Sequence, residues 1–264
     1  MLQHNSMRNM SFYDHFDELR VRLIRCLMVF FVGFIICYFL ADPILEILRK
    51  PLFDSLPVEQ RKLYFTRLFE NFLTHLKIGG YASLFLFSPY YFYQVWGFIA
   101  PGLYPRERKF VLPFVAAATI FFIGGACFAY FVLFPVGFKY FLTYGATTDV
   151  PLLTIDSYYT TCLHLLLLFG LAFELPVLIC LLGFLGLVDA EMLRKNRRPA
   201  VIGISVVAAL FAPPDAISML ILGIPLVLLY EAAIWVVHFI GLKRPAGGRP
   251  KDLASENPLV GRSR

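Results

Sequence analysis

The chain has 264 residues, 59% of them hydrophobic and 16% charged, with 28 Phe, 14 Tyr, a mean hydropathy of +0.70 and a formal net charge of +6. A soluble domain carries about 45–50% apolar and about 25% charged residues, so this balance excludes an ordinary water-soluble enzyme and points to a bilayer as solvent. The basic residues flank apolar runs rather than forming a patch of their own, and no nucleic-acid partner is expected.

Ser11-Phe12-Tyr13-Asp14 has the pattern of a helix N-terminus, and Phe12, Phe16, Leu19 and Leu23 form one apolar stripe, so a helix is predicted from Ser11 into the first apolar run. That run begins near Leu23 and lacks a small-residue cleavage site, which argues against a cleavable signal peptide. Six stretches approach the roughly 20 residues needed to cross a bilayer: 23–42, 78–98, 110–138, 159–187, 199–212 and 216–240. At about 1.5 Å per residue the third and fourth reach roughly 43 Å and the fifth only about 21 Å, which implies local thinning or a cavity beside the short span.

Between the first two spans, residues 43–77 form the sizeable outside loop, where Leu63, Leu68, Phe72 and Leu76 predict a short amphipathic surface helix. Pro89, Pro113, Pro135, Pro176 and Pro225 punctuate the spans and predict kinked helices in a concave bundle. The tail, 241–264, is rich in Pro, Gly and basic residues and reads as disordered. The five cysteines, Cys26, Cys37, Cys127, Cys162 and Cys180, form no disulfide framework or metal-ligand pattern.

Of the 24 Lys and Arg residues, 17 fall in the N-terminal segment, the second and fourth loops and the tail, and seven in the other loops. Cytoplasmic loops carry the basic excess, so both termini are predicted to be cytoplasmic.

No nucleotide-binding, metalloprotease or serine-hydrolase motif occurs, so no cofactor, metal or covalent chemistry is expected. His164 and Cys162 lack partners at nucleophile or ligand spacing and read as packing residues. Asp14, Asp17 and Glu18 project near the inner headgroups; they serve either as local ion pairs, Glu18 with Arg22 and Asp17 with Arg20, or as a docking point for a cationic ligand. Glu107 follows Pro105 in a helical first turn, where the macrodipole favours an acid, yet it also stands beside the apolar Trp96, Phe98, Ile99 and Leu103. Glu174, near the middle of the fourth span, costs about 2.5–3.5 kcal/mol on insertion scales, so it faces a cavity or water, or is a protonated structural group. Gln94 and Glu231 lie nearer the ends of their spans, and Asp215 after Pro213-Pro214 fits a helix N-cap.

Several stretches together resemble the TatC family of the twin-arginine protein translocase, from about Ser11 to about Ile240: His15 to Leu23 (HFDELRVRL), Ser88 to Arg108 (SPYYFYQVWGFIAPGLYPRER), Phe169 to Val177 (FGLAFELPV), Ala212 to Asp215 (APPD) and Ile224 to Glu231 (IPLVLLYE). The resemblance implies an all-α polytopic membrane protein of the bacterial cytoplasmic membrane, with six transmembrane helices in a concave, glove-shaped bundle and short fifth and sixth helices. It also implies a receptor that binds paired-arginine signal peptides of folded cargo. Glu18 and Glu107 match the arginine-contacting carboxylates, Arg20 and Phe98 further recognition positions, Pro51 a position in the first outside loop, and Glu174 an intramembrane acid on the concave side. The implied partners are the single-span TatA and TatB subunits and further copies of the chain, with transport driven by the proton-motive force. Met219, where the family commonly has Gln, and the loop around Glu70 depart from the family pattern.

Two other classes compete with that reading. A proton-coupled small-solute transporter would use Glu174 as its titrating group, whereas an intramembrane hydrolase lacks a nucleophile–base pair.

Overall fold

In the computed structural model, residues 12–99, 111–143, 152–184, 187–211 and 216–242 are described, with side chains at 12–15, 211, 216–218 and 240–242 left aside. Helices dominate them: α1 (Phe12–Phe39), α2 (Ala41–Asp54), α3 (Glu70–Leu86), α4 (Ser88–Ile99), α5 (Val111–Phe128), α6 (Phe134–Thr143), α7 (Ile155–Phe184), α8 (Ala190–Lys195), α9 (Arg197–Phe211) and α10 (Ala216–Leu242). Compact units divide the chain within α7, between Glu174 and Leu175. Among the described residues four helical segments are long and apolar enough to cross a membrane: Phe16–Phe39, Val111–Thr143, Ile155–Phe184 and Met219–Phe239.

The other two apolar runs behave differently. Residues 78–98 are not one helix, because α3 ends at Leu86 and α4 begins at Ser88, with Pro89 in its first turn, where a proline needs no donor. The fifth run is the 15-residue α9. The third continues beyond 138 to Thr143 and contains a π-helical turn at Ala129–Leu133, immediately before Pro135. Proline cannot donate to the carbonyl four residues earlier and clashes with it, and a widened turn relieves both problems.

In the first unit α1 packs antiparallel to α3 and α4. Gly33 makes this close: a Cβ there would lie 2.5 Å from Ser83 Oγ and 2.6 Å from the Phe87 ring. Ser83 also donates to the Phe30 carbonyl at 3.1 Å. Small residues of this kind let helix backbones approach where lipid supplies no hydrophobic drive. The outward face of α1 exposes Leu23, Leu27, Met28, Phe31, Val32 and Ile35, each more than 45% accessible. Water would not tolerate such a contiguous apolar stripe, whereas hydrocarbon does.

Helix α2 occupies the region expected to be loop. Ala41, Leu45, Leu48 and Leu52 recur on one face and are all buried. Pro51 within it leaves the Ile47 carbonyl without a helical donor, and the Tyr130 hydroxyl donates to that oxygen at 2.8 Å. Tyr158 and Tyr159 at the start of α7 donate to the Leu48 and Leu45 carbonyls at 2.7 and 3.2 Å.

The amphipathic helix expected over Leu63, Leu68, Phe72 and Leu76 is not formed as one element. Leu63 and Leu68 lie in irregular chain, and Phe72 and Leu76 belong to α3. The backbone there has non-helical partners: Tyr64 donates to the Leu153 carbonyl and accepts from Ile155, at 2.9 and 2.8 Å. Glu70 accepts from the N–H groups of Thr66 and Arg67 at 2.6 and 3.1 Å.

In the second unit α10 packs on α8 and α9. Leu222, Leu226, Ala233, Ile234 and Val237 are buried, Tyr230 donates to the Leu193 carbonyl at 3.0 Å, and Arg197 pairs with Glu231 at 2.6 Å.

Candidate functional site

Helix α1 sets Glu18 and Arg22 one turn apart, so their side chains meet on one face. Arg22 donates to Glu18 Oε1 from Nε at 3.0 Å and from Nη2 at 2.6 Å. Its third arm, Nη1, donates to Gln94 Oε1 at 3.2 Å and lies 3.5 Å from the Gln94 carbonyl on α4. Gln94 is 5% exposed, and the Arg22 and Glu18 side chains are 21% and 20% exposed.

Gly97 completes the seat. It lies one turn after Gln94, and a Cβ there would stand 2.2 Å from Arg22 Nη1 and 2.9 Å from Cζ. The guanidinium thus rests on bare backbone. One oxygen of Glu18 is taken, while Oε2 is buried with no hydrogen-bond partner among the described residues. A carboxylate oxygen in that state costs free energy until a donor reaches it, and a guanidinium is the strongest donor available to a peptide.

The other predicted residues fall as follows. Arg20 and Asp17 are exposed, and the i,i+3 pair expected between them is absent among the described residues, since such a surface pair gains no more than side-chain entropy costs. Phe98 is half-buried near the end of α4. Trp96 is not part of an open ledge: it is 5% exposed and stacks on Phe114 of α5, centroids 4.8 Å apart. Glu107, Asp215, Leu103 and the tail beyond Leu242 lie outside the described residues, as do Ser11 and the basic residues of the second loop. Glu174 is half-buried on α7, and its Oε1 is buried without a partner among the described residues. Pro51 lies at the opposite end of the first unit from Glu18, since α1 and α2 follow one another there.

Sequence reasoning paired Arg22 with Glu18 but missed the bond from Arg22 to Gln94 and the roles of Gly97 and Glu70. Gln94-x-x-Gly97, two positions on one face with the second lacking a side chain, was the available signal for the first two. Glu70 is 4% exposed and joins three chain segments: besides Thr66 and Arg67 it accepts from the Asp156 N–H at 2.9 Å. That bond first, then the Thr66 N–H, holds its carboxyl down to about 2, against the desolvation that would raise it. Lys77 pairs with Asp156 beside it and donates to Thr160 at 2.9 Å.

The family model for "Sec-independent protein translocase protein (TatC)" matches residues 14–225. The chain belongs to the TatC family. It is 37% identical over 249 residues to the TatC protein of Desulforapulum autotrophicum, covering 94% of this chain and 91% of that one. To the Escherichia coli K12 protein it is 38% identical over 226 residues, covering 85% and 87%. A solved structure titled "Crystal Structure of Twin Arginine Translocase Receptor- TatC" superposes with a TM-score of 0.76 at 33% identity, covering 84% of this chain and 97% of that one. A second, of the receptor in DDM, gives 0.78. Family membership and the apolar helices together make this a membrane protein of protein transport.

Proposed function

We propose that this TatC family member is the receptor for paired-arginine signal peptides, with Glu18 and Glu107 each accepting one guanidinium at the cytoplasmic face. The observation that carries the reading is the half-satisfied Glu18 carboxylate, positioned by Arg22 and Gln94 with one buried oxygen open. Trp96 of α4 stacks on Phe114 of α5 close to that carboxylate's seat on α4. Arg20 and Phe98 flank the bound arginines, and the apolar part of the signal runs toward Glu174. The overall form is a six-span, glove-shaped bundle with both termini cytoplasmic, assembling with further copies and with TatA and TatB under the proton-motive force. The solved relatives titled as twin-arginine translocase receptors support the receptor role.

Specificity for arginine follows from geometry. A planar guanidinium can offer two parallel donors to a carboxylate, whereas an ammonium offers a hydrated point charge. Membership in a protein-translocase family weighs against the small-solute transporter built on Glu174. The test is to change Glu18 and Glu107 to Gln, singly and together, and to compare binding of Arg-Arg and Lys-Lys signal peptides to the purified protein. The wild type should discriminate and the double variant should not; unchanged discrimination would remove both carboxylates from the site.

A further inference from the structure

A second polar concavity lies at the other end of the first unit, about 460 Å³ in volume, walled by α2, the irregular chain beginning at Arg61, the start of α3 and the start of α7. Its lining includes Arg49, Arg61 and Lys62, and among the described residues none of these three forms an ion pair. The one lining carboxylate, Asp42, is engaged by His75 at 3.0 Å. Arg49 is half-buried, and its Nε is buried with no acceptor among the described residues. Arg61 is anchored by Nε to the Leu56 carbonyl at 3.2 Å, which leaves its terminal nitrogens available.

Arg61 and Lys62 are exposed, and the walls beneath them are pinned. Tyr159 is bonded to the Leu45 carbonyl, and Tyr64 is paired to Leu153 and Ile155 on both sides of its peptide. Like charges converging on a fixed cavity repel one another, and a buried guanidinium N–H without an acceptor is unstable; a multivalent oxyanion answers both defects. Exposed apolar side chains, Ile47, Phe65 and Phe72, stand on the same elements, as an acyl chain beside a bound headgroup would require.

We infer that this cavity binds a phosphate-bearing anion, the chemistry shared by an anionic phospholipid headgroup and free phosphate, through Arg49, Arg61 and Lys62. This does not depend on the signal-peptide reading, because the cavity lies at the opposite end of the unit from Glu18.

The experiment uses the full-length protein purified in detergent. One arm measures retention of phosphatidylglycerol against phosphatidylcholine by native mass spectrometry. The other measures melting temperature with and without millimolar inorganic phosphate. Preferential retention of phosphatidylglycerol is expected, falling on the order of fivefold for each cation removed in Arg49→Gln and in Arg61→Gln/Lys62→Gln. Arg49→Lys, which keeps charge but loses the planar donors, should fall between, and Lys50→Gln, outside the cavity, should match wild type. Melting temperature without ligand separates loss of binding from loss of fold. Stabilisation by phosphate alone, abolished in Arg49→Gln, supports the site with the soluble ion as ligand. Retention and stabilisation that are the same in folded cation variants as in wild type overturn the proposal.

Discussion

Gly97→Ala tests the candidate site without altering a charge. The added methyl carbon would meet Arg22 Nη1 at 2.2 Å, while ordinary contact begins at 3.4 Å, so the guanidinium must move by more than 1 Å. The atoms in the way are the far end of a flexible side chain, so the fold survives. A helix-interior Gly→Ala change contributes about 0.5–1 kcal/mol, and losing the charge-assisted bond to Gln94 costs about 1.5 kcal/mol. Net stability therefore changes by less than about 1 kcal/mol. Recognition should change more: with Arg22 off Gln94, the bonded link between the Glu18 carboxylate and α4 seen among the described residues is lost. The dissociation constant for an Arg-Arg signal peptide should rise about five- to tenfold, roughly 1–1.4 kcal/mol. Isothermal titration or fluorescence anisotropy on the purified protein measures this, with the melting temperature as control. In an Arg22→Ala background the same methyl should have no further effect, because nothing remains to collide with. Unchanged affinity in the single variant, or additive losses in the double, would refute the reasoning.

Three further outcomes follow from the packing. Because the Glu70 carboxyl is held at about 2 in the fold and returns to about 4.5 when unfolded, its contribution is fully present above pH 4.5 and disappears as pH falls toward 2; Glu70→Gln should lower the melting temperature at neutral pH and flatten this acid decline in a pH series. At Gly125 a Cβ would lie 2.3 Å from the Phe169 carbonyl oxygen, which is backbone and cannot yield, so Gly125→Ala should destabilise by about 1–3 kcal/mol. The neighbouring Gly124→Ala, with nothing within 4 Å, should be neutral or stabilising in the same detergent melt. Tyr130→Phe should cost about 1 kcal/mol by orphaning the Ile47 carbonyl, and the loss should shrink in a Pro51→Ala background, where the helix supplies its own donor.

Much of the architecture was legible because bilayer solvation acts on every residue of a span alike. Composition and apolar run length picked out the four helical segments that are long and apolar enough to cross a membrane among the described residues, and the i,i+4 spacing of Glu18 and Arg22 announced their pair. The membrane class and the translocase resemblance needed only residue identity and order. Other features were hidden because they depend on partners distant in sequence. The irregular chain at 61–69 keeps an apolar spacing that suggests a helix, yet Glu70 and the 153–155 segment claim its backbone donors. The break at Phe87 and the helical α2 were settled by how α1, α3 and α7 pack.

Sequence alone determined that this chain is a membrane protein, which of its runs are apolar enough to cross, and which acids are costly within such runs, since each of those is a property of a side chain and its near neighbours. Tertiary structure decided what the acids face. Seventy-two residues separate Arg22 from Gln94, and only antiparallel packing of α1 on α4 across a bare glycine brings them together, leaving one oxygen of Glu18 open. Such a seat depends on the absence of a side chain at one point in space, and the linear order of residues carries no distance.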